Sequence, residues 1–179
     1  ENLCYNGEHV SHGFKVGIGT LASTASLEFL LETDIEHLDC DRCVDSWKSW
    51  EETVQDIYRI FDGKPGHIAR ALTETKGKYV DREGLRRQLE TLKAVWPELR
   101  ERVRRQIIPF DRVRENLKAV GAPYEPEMIG VTRERFRRTF GYIPYMRSRF
   151  TNIDVLFRCG LMEALEERLF GKGGIWEIR

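Results

Sequence analysis

The stretch Asp81-Arg82-Glu83-Gly84-Leu85-Arg86-Arg87-Gln88-Leu89-Glu90-Thr91-Leu92-Lys93-Ala94-Val95-Trp96-Pro97-Glu98-Leu99-Arg100-Glu101-Arg102-Val103 carries Leu85, Leu89, Leu92, Trp96, Leu99 and Val103 at alternating four- and three-residue steps. That spacing puts these six residues on one continuous apolar stripe of an α-helix. Pro97 lacks an N–H and its ring crowds the preceding turn, so a kink or a break is expected there. The stripe reads as the core-facing side of a helix within its own domain, since an intermolecular coiled coil needs about three to four uninterrupted heptads.

Helical patterns extend outward from this stretch in both directions. Ser49-Trp50-Glu51-Glu52 has the form of a capping box and opens a helix that ends near Asp62-Gly63, after which Pro65 stands at a first helical position. A helix over about 66–79 follows. Further helices are expected at about 110–120, 132–141 and 152–169, the last opened by Thr151-Asn152-Ile153-Asp154 and interrupted at Gly160. Gly171, Gly173 and Gly174 are expected to end the ordered part, leaving 171–179 as a tail. The Asn6-Gly7 pair marks a tight turn or a small hairpin over 2–10, and 34–47 is acidic with one short helix. Sustained period-two alternation is absent, so the chain is expected to be all-α, a multi-helix domain over 1–170.

The run Ser11-His12-Gly13-Phe14-Lys15-Val16-Gly17-Ile18-Gly19-Thr20 has a different character. Ser11 is an N-cap candidate for a helix running to about Thr33, which puts His12 at the helix mouth, where free N–H groups and the positive dipole end favour anions. Gly17 and Gly19 each cost roughly 0.5–1 kcal/mol against alanine in a helix interior, so close approach of another backbone or a ligand is expected there. Two readings of His12 stand side by side: a neutral imidazole ligating a metal, or an exposed histidine at the head of a packed helix.

The Ser11–Leu21 string resembles the metal-histidine segment, His-Gly-x-x-Val-x-x-Gly, of the superfamily of glycerol-1-phosphate dehydrogenases, iron-type alcohol dehydrogenases and dehydroquinate synthases. Gly121-Ala122-Pro123, Pro126-Glu127-Met128-Ile129-Gly130 and Arg147-Ser148-Arg149-Phe150-Thr151-Asn152-Ile153-Asp154 resemble the glycerol-1-phosphate dehydrogenase branch. The resemblance runs to about Leu165. It implies the C-terminal helical domain of the dehydroquinate synthase-like fold, in an NAD(P)-dependent enzyme that interconverts dihydroxyacetone phosphate and sn-glycerol 1-phosphate. It further implies a divalent metal (Zn, Ni or Fe) held by an aspartate and two histidines, of which only His12 has a counterpart here. A metal so held polarises the substrate oxygen as a Lewis acid. Phe14 stands where many relatives carry an acidic residue. The opening at Glu1, with no initiator methionine, charged n-region or apolar h-region, reads as a piece of a longer protein. Its own nucleotide-binding domain is then the expected partner, and the piece alone is expected to be inactive.

Lys15 lies one turn after His12 and is a candidate for holding an anionic substrate, against the simpler reading of a solvated lysine. Arg147 and Arg149 precede a capped helix start. They are candidates for the substrate's phosphate, against salt-bridging to neighbouring acids. Cys40 and Cys43 with His37 offer three soft ligands, fewer than a structural zinc site takes, and read as reduced thiols in a short helix. Net charge is zero, but residues 1–98 hold 12 Lys+Arg against 18 Asp+Glu, whereas 99–158 hold 14 against 7. The Arg100–Arg105 and Arg133–Arg138 runs read as solvated helix faces. With 41% hydrophobic residues and no apolar run near the ~20 residues of a membrane span, a cytoplasmic domain is expected. Three other functions are compatible with the sequence. One is a dehydroquinate synthase-like enzyme, disfavoured by the lack of a downstream Asp-Lys-Lys motif. The others are a helical module binding nucleic acid or an acidic protein, and an assembly module forming a homo-oligomer.

Overall fold

The computed structural model describes residues 10–179, and among them there are helices and no strands. The chain is all-α. The Asn6-Gly7 turn, Cys4 and His9 lie outside the described residues. The α-helices run α1 His12–Glu32, α2 Cys40–Asp45, α3 Trp50–Ile60, α4 Pro65–Lys76, α5 Arg82–Arg104, α6 Phe110–Ala119, α7 Arg133–Met146, α8 Asn152–Arg158 and α9 Met162–Phe170, with a 3-10 turn at Pro126–Ile129.

The helix starts follow local side-chain chemistry. Ser49 Oγ accepts from Glu52 N–H while the Glu52 carboxylate accepts from Ser49 N–H, the reciprocal pair of a capping box. Asp81 caps α5 by accepting from Gly84 N–H at 2.8 Å. Helix α6 starts at Pro109, which has no capping side chain, and the Glu28 carboxylate of α1 accepts Phe110 N–H at 2.8 Å instead. At its end Gly121 is left-handed at φ 68°, Ala122 N–H reaches Leu117 O and Gly121 N–H reaches Lys118 O, a Schellman closure. Gly160, at φ 67°, closes α8 in the same way.

Helix α1 runs through the centre. Its Ile18, Leu21, Ala22, Ala25, Leu30 and Leu31 are buried, and α6, α8 and α9 pack on it. Contrary to the expectation from composition, α1 is long and apolar enough to cross a membrane, with a mean hydropathy of 1.2; here its buried side forms the core. Helix α5 lies on α2 with Leu85, Leu89 and Trp96 buried. Its stripe opens toward the C-terminal end, where Leu99 is 36% exposed. The helix is not broken at Pro97, which sits on the exposed side, where the carbonyl left without a donor can turn to water. A second apolar cluster joins Ile57 of α3 and Phe61, which caps its C-terminus, to Ala71 of α4 and Tyr145 of α7.

Two differences from the sequence expectation concern the C-terminal third. Helix α7 extends to Met146 rather than stopping near 141, because Phe140, Pro144 and Tyr145 continue its buried side. The glycines after Phe170 do end the helix but not the ordered part. Trp176 is buried, with its ring edge-to-face against Phe136 and Phe110 at 4.9 and 5.8 Å. Trp176 N–H donates to Leu169 O at 2.8 Å, so 171–179 folds back into the core.

Candidate functional site

The head of α1 is built as its cap demands. Ser11 Oγ accepts from Phe14 N–H at 3.2 Å, and His12 follows as the first helical residue, with its side chain exposed. Lys15 is half-buried one turn on, and the three-residue spacing puts it on the same side of the helix as His12. Below them, Val16, Gly19, Thr20 and Ser23 recur at helical spacing and are all exposed. They continue the stripe that His12 heads, with only small side chains besides Val16, and Thr20 turns its hydroxyl inward to Val16 O. The opposite side is the buried one, so α1 has one side in the core and one side open.

The glycines divide along the same line. A Cβ on Gly17 would sit 3.4 Å from Leu117 and 3.9 Å from Pro123 O, so α6 and the loop after it do approach there. A Cβ on Gly13 or Gly19 would meet nothing within 4 Å among the described residues, so packing among those residues does not account for either.

The stretches quoted for the resemblance come together along α1. The Gly121–Pro123 turn lies beside Gly17, the Pro126–Ile129 turn packs on the same helix, and Asn152 Nδ2 donates to Ser23 O. No hydrogen bond or ion pair joins His12 to Arg147 or Arg149 among the described residues. Asn152, at the start of α8, touches α1 at Ser23, eleven residues beyond His12, or about 16 Å along the axis at 1.5 Å per residue. Arg147 and Arg149 are exposed, and Ser148 between them donates its N–H to Glu74 at 2.7 Å, which holds the Glu74 carboxyl below its usual range. The helix start expected to face a phosphate already holds an anion: the Asp154 carboxylate accepts from Thr151 N–H and Thr151 Oγ at 2.8 and 2.9 Å.

Among the described residues no three His, Cys, Asp or Glu side chains are grouped to hold a metal. His12 can supply one imidazole; a complete ligand set would need donors from outside these residues. The Cys40/Cys43 pair is not such a set. His37 pairs with Asp34 at 2.8 Å, while Cys43 is buried and its thiol donates to Cys159 O. Burial raises the Cys43 thiol and pushes Cys159 up to about 12, which suits inert core thiols. The arginine runs are largely paired: Arg100 with Glu36, Arg102 with Glu98, Arg104 with Glu101, Arg133 with Glu127 and Arg137 with Glu166.

A cluster that the sequence did not point to lies beneath the 77–80 segment. Lys78, Asp154 and Arg158 are drawn together there, with Lys78 paired to Asp154 and the Arg158 guanidinium donating to Gln88 Oε1 and Lys78 O. Its only sequence signal was Asp154 and Arg158 one turn apart among apolar residues; Lys78 is 76 residues away. No protein-family model, curated protein or solved structure matches this chain.

Proposed function

We propose that this chain is the helical, metal-contributing domain of an NAD(P)-linked dehydrogenase of the glycerol-1-phosphate dehydrogenase kind, with the dehydroquinate synthase-like fold. The observation that supports it is His12, exposed at the capped head of α1 and leading an open stripe of small residues. The resembling stretches gathered along that same helix add to it. In this reading His12 offers one ring nitrogen to the metal, and Lys15 holds positive charge on the same side for an anionic substrate. The stripe from Val16 to Ser23 closes against the nucleotide-binding domain and keeps water from the cleft. A divalent metal bound there supplies Lewis-acid polarisation of the substrate carbonyl, and NAD(P)H supplies the hydride. The phosphate role of Arg147 and Arg149 has no support in their geometry. The reading of a basic binding module loses ground because the arginine runs are paired with acids.

The test uses the protein that joins this chain to its nucleotide-binding domain, stripped of metal and resupplied with Zn²⁺, Ni²⁺ or Fe²⁺. Reduction of dihydroxyacetone phosphate by NADH or NADPH should depend on the metal and vanish in His12→Ala. Arg147→Ala/Arg149→Ala tests the phosphate role: a raised KM for the phosphorylated substrate would support it, and an unchanged KM would remove it. Phosphate release from a heptulosonate phosphate, with no turnover of dihydroxyacetone phosphate, would replace this reading with dehydroquinate synthase chemistry.

A further inference from the structure

Helix α5, the 77–80 segment, the 148–150 segment and α8 enclose an open groove of about 830 Å³, a size that suits a single small ligand. Its walls are apolar and include groups that a folded chain ordinarily covers: Val95 is 47% exposed and Phe150 53%. Lys78 and Arg158 line it as well, and both are nearly withdrawn from water. The Lys78 side chain is 9% exposed and Arg158 8%.

The charges inside do not balance. Asp154, 4% exposed, is the one buried carboxylate in contact, and its oxygens are taken by Lys78, Thr151 N–H and Thr151 Oγ. Arg158 is left with neutral acceptors, the Gln88 side-chain carbonyl and Lys78 O, and its guanidinium carbon lies over the Phe150 ring, 4.6 Å from the centroid. A guanidinium has five N–H donors, more than these two acceptors use. No carboxylate among the described residues hydrogen-bonds to it. Two buried cations against one carboxylate leave an excess positive charge beside an apolar groove, a costly arrangement that an entering anion relieves. Burial lowers the Arg158 pKa while Asp154 partly offsets that, as expected for a cation short of a counter-charge.

We propose that this groove is a binding site for a small amphipathic anion, a carboxylate or phosphate head on a hydrocarbon body. The head lies against Arg158 and the body along Leu92, Val95 and Phe150. The site is separate from the His12 end of α1 and does not rest on the function proposed above.

Calorimetric titration of the chain with dodecanoate, dodecyl phosphate, dodecanol and inorganic phosphate, each below its aggregation threshold, tests this. The two amphipathic anions should bind one to one with dissociation constants below about 1 mM. Dodecanol should bind at least tenfold more weakly, and inorganic phosphate should give no saturable heat. Arg158→Gln should reduce dodecanoate binding to the level of the alcohol. Should that variant fail to fold, Val95→Glu, on an exposed helix side, sets a negative charge in the groove and should weaken dodecanoate at least tenfold with an unchanged circular dichroism spectrum. Dodecanol binding as tightly as dodecanoate overturns the charged half of the proposal, and inorganic phosphate binding as tightly as dodecyl phosphate overturns the apolar half. Unaltered binding by Val95→Glu, or no binding of either anion, overturns the site. So does a concentration-dependent dimer abolished by Val95→Glu without uptake of dodecanoate, which gives the groove to a second copy of the chain.

Discussion

Helices α1 and α5 are nearly equal in length, 21 and 23 residues, yet they use their surfaces differently. Helix α5 has one apolar stripe, buries Leu85, Leu89 and Trp96 of it, and faces water mostly with charge, apart from Val95 beside the groove. Helix α1 is apolar or small nearly all round, buries one side at the centre of the bundle, and leaves a second side open from His12 to Ser23, where Lys15 is the one charged residue. A helix serving only its own fold needs one stripe. The open second side of α1 therefore marks it as more than a packing helix, and it is where Gly19, which packs on nothing among the described residues, sits.

The largest expected effect lies on the packing helix. Leu89 is 2% exposed, and Leu89→Ala should lower stability by about 2–5 kcal/mol in chemical denaturation. Val16→Ala, on the open side of α1 at 49% exposure, should change it by less than about 0.5 kcal/mol. Equal losses at the two positions would remove the distinction between the helices.

A smaller effect has the opposite sign. Gly19→Ala meets open space, so the helix-propensity gain should stabilise the chain by about 0.5–1 kcal/mol. Joined to the nucleotide-binding domain, the same variant should lose dehydrogenase activity if the bare side of Gly19 is where that domain approaches. A Gly19→Ala variant that is stabilised and fully active would mean that the open side contacts nothing.

The smallest effect tests whether helix ends were read for the right reason. Ser49 N–H, donating to Glu52 at 2.8 Å, holds that carboxyl below its ordinary value of 4.5. A depressed folded-state pKa means that the contribution is complete above about pH 4.5 and is lost as the pH falls through the folded value. Thermal unfolding at pH 7 and pH 3.5 should show a smaller acid loss for Glu52→Gln than for the unaltered chain. An equal loss would mean that the capping carboxylate contributes nothing that titrates.

These contrasts show what the sequence made legible. The α5 stripe, the Ser49 box and the Gly160 stop are local patterns, and each fixes an element by interactions within a few residues. Trp176 was not legible because glycines on its N-terminal side read as a tail, and only the gap among Phe110, Phe136 and Phe170 shows why the chain returns. Of the kink or break expected at Pro97, the break does not occur, for a related reason: whether a proline interrupts a helix depends on which side faces water, a property of the whole fold. At the site, His12 and its cap could be read, whereas the placement of the 147–149 segment depends on α8 meeting α1 at Ser23 and on Glu74 holding Ser148. The Lys78–Asp154–Arg158 cluster joins residues far apart in the chain, and no spacing rule reaches that distance.

The central claim is that the open side of α1 presents His12 to a metal. Elemental analysis of the protein joined to its nucleotide-binding domain, after equilibrium dialysis against Zn²⁺, tests it most directly. One metal per chain is expected, with affinity falling at least about 100-fold in His12→Ala, beyond the 10–100-fold cost of losing a supporting group. Equal metal content and affinity in the two proteins would show that His12 is only an exposed histidine at the head of a packed helix.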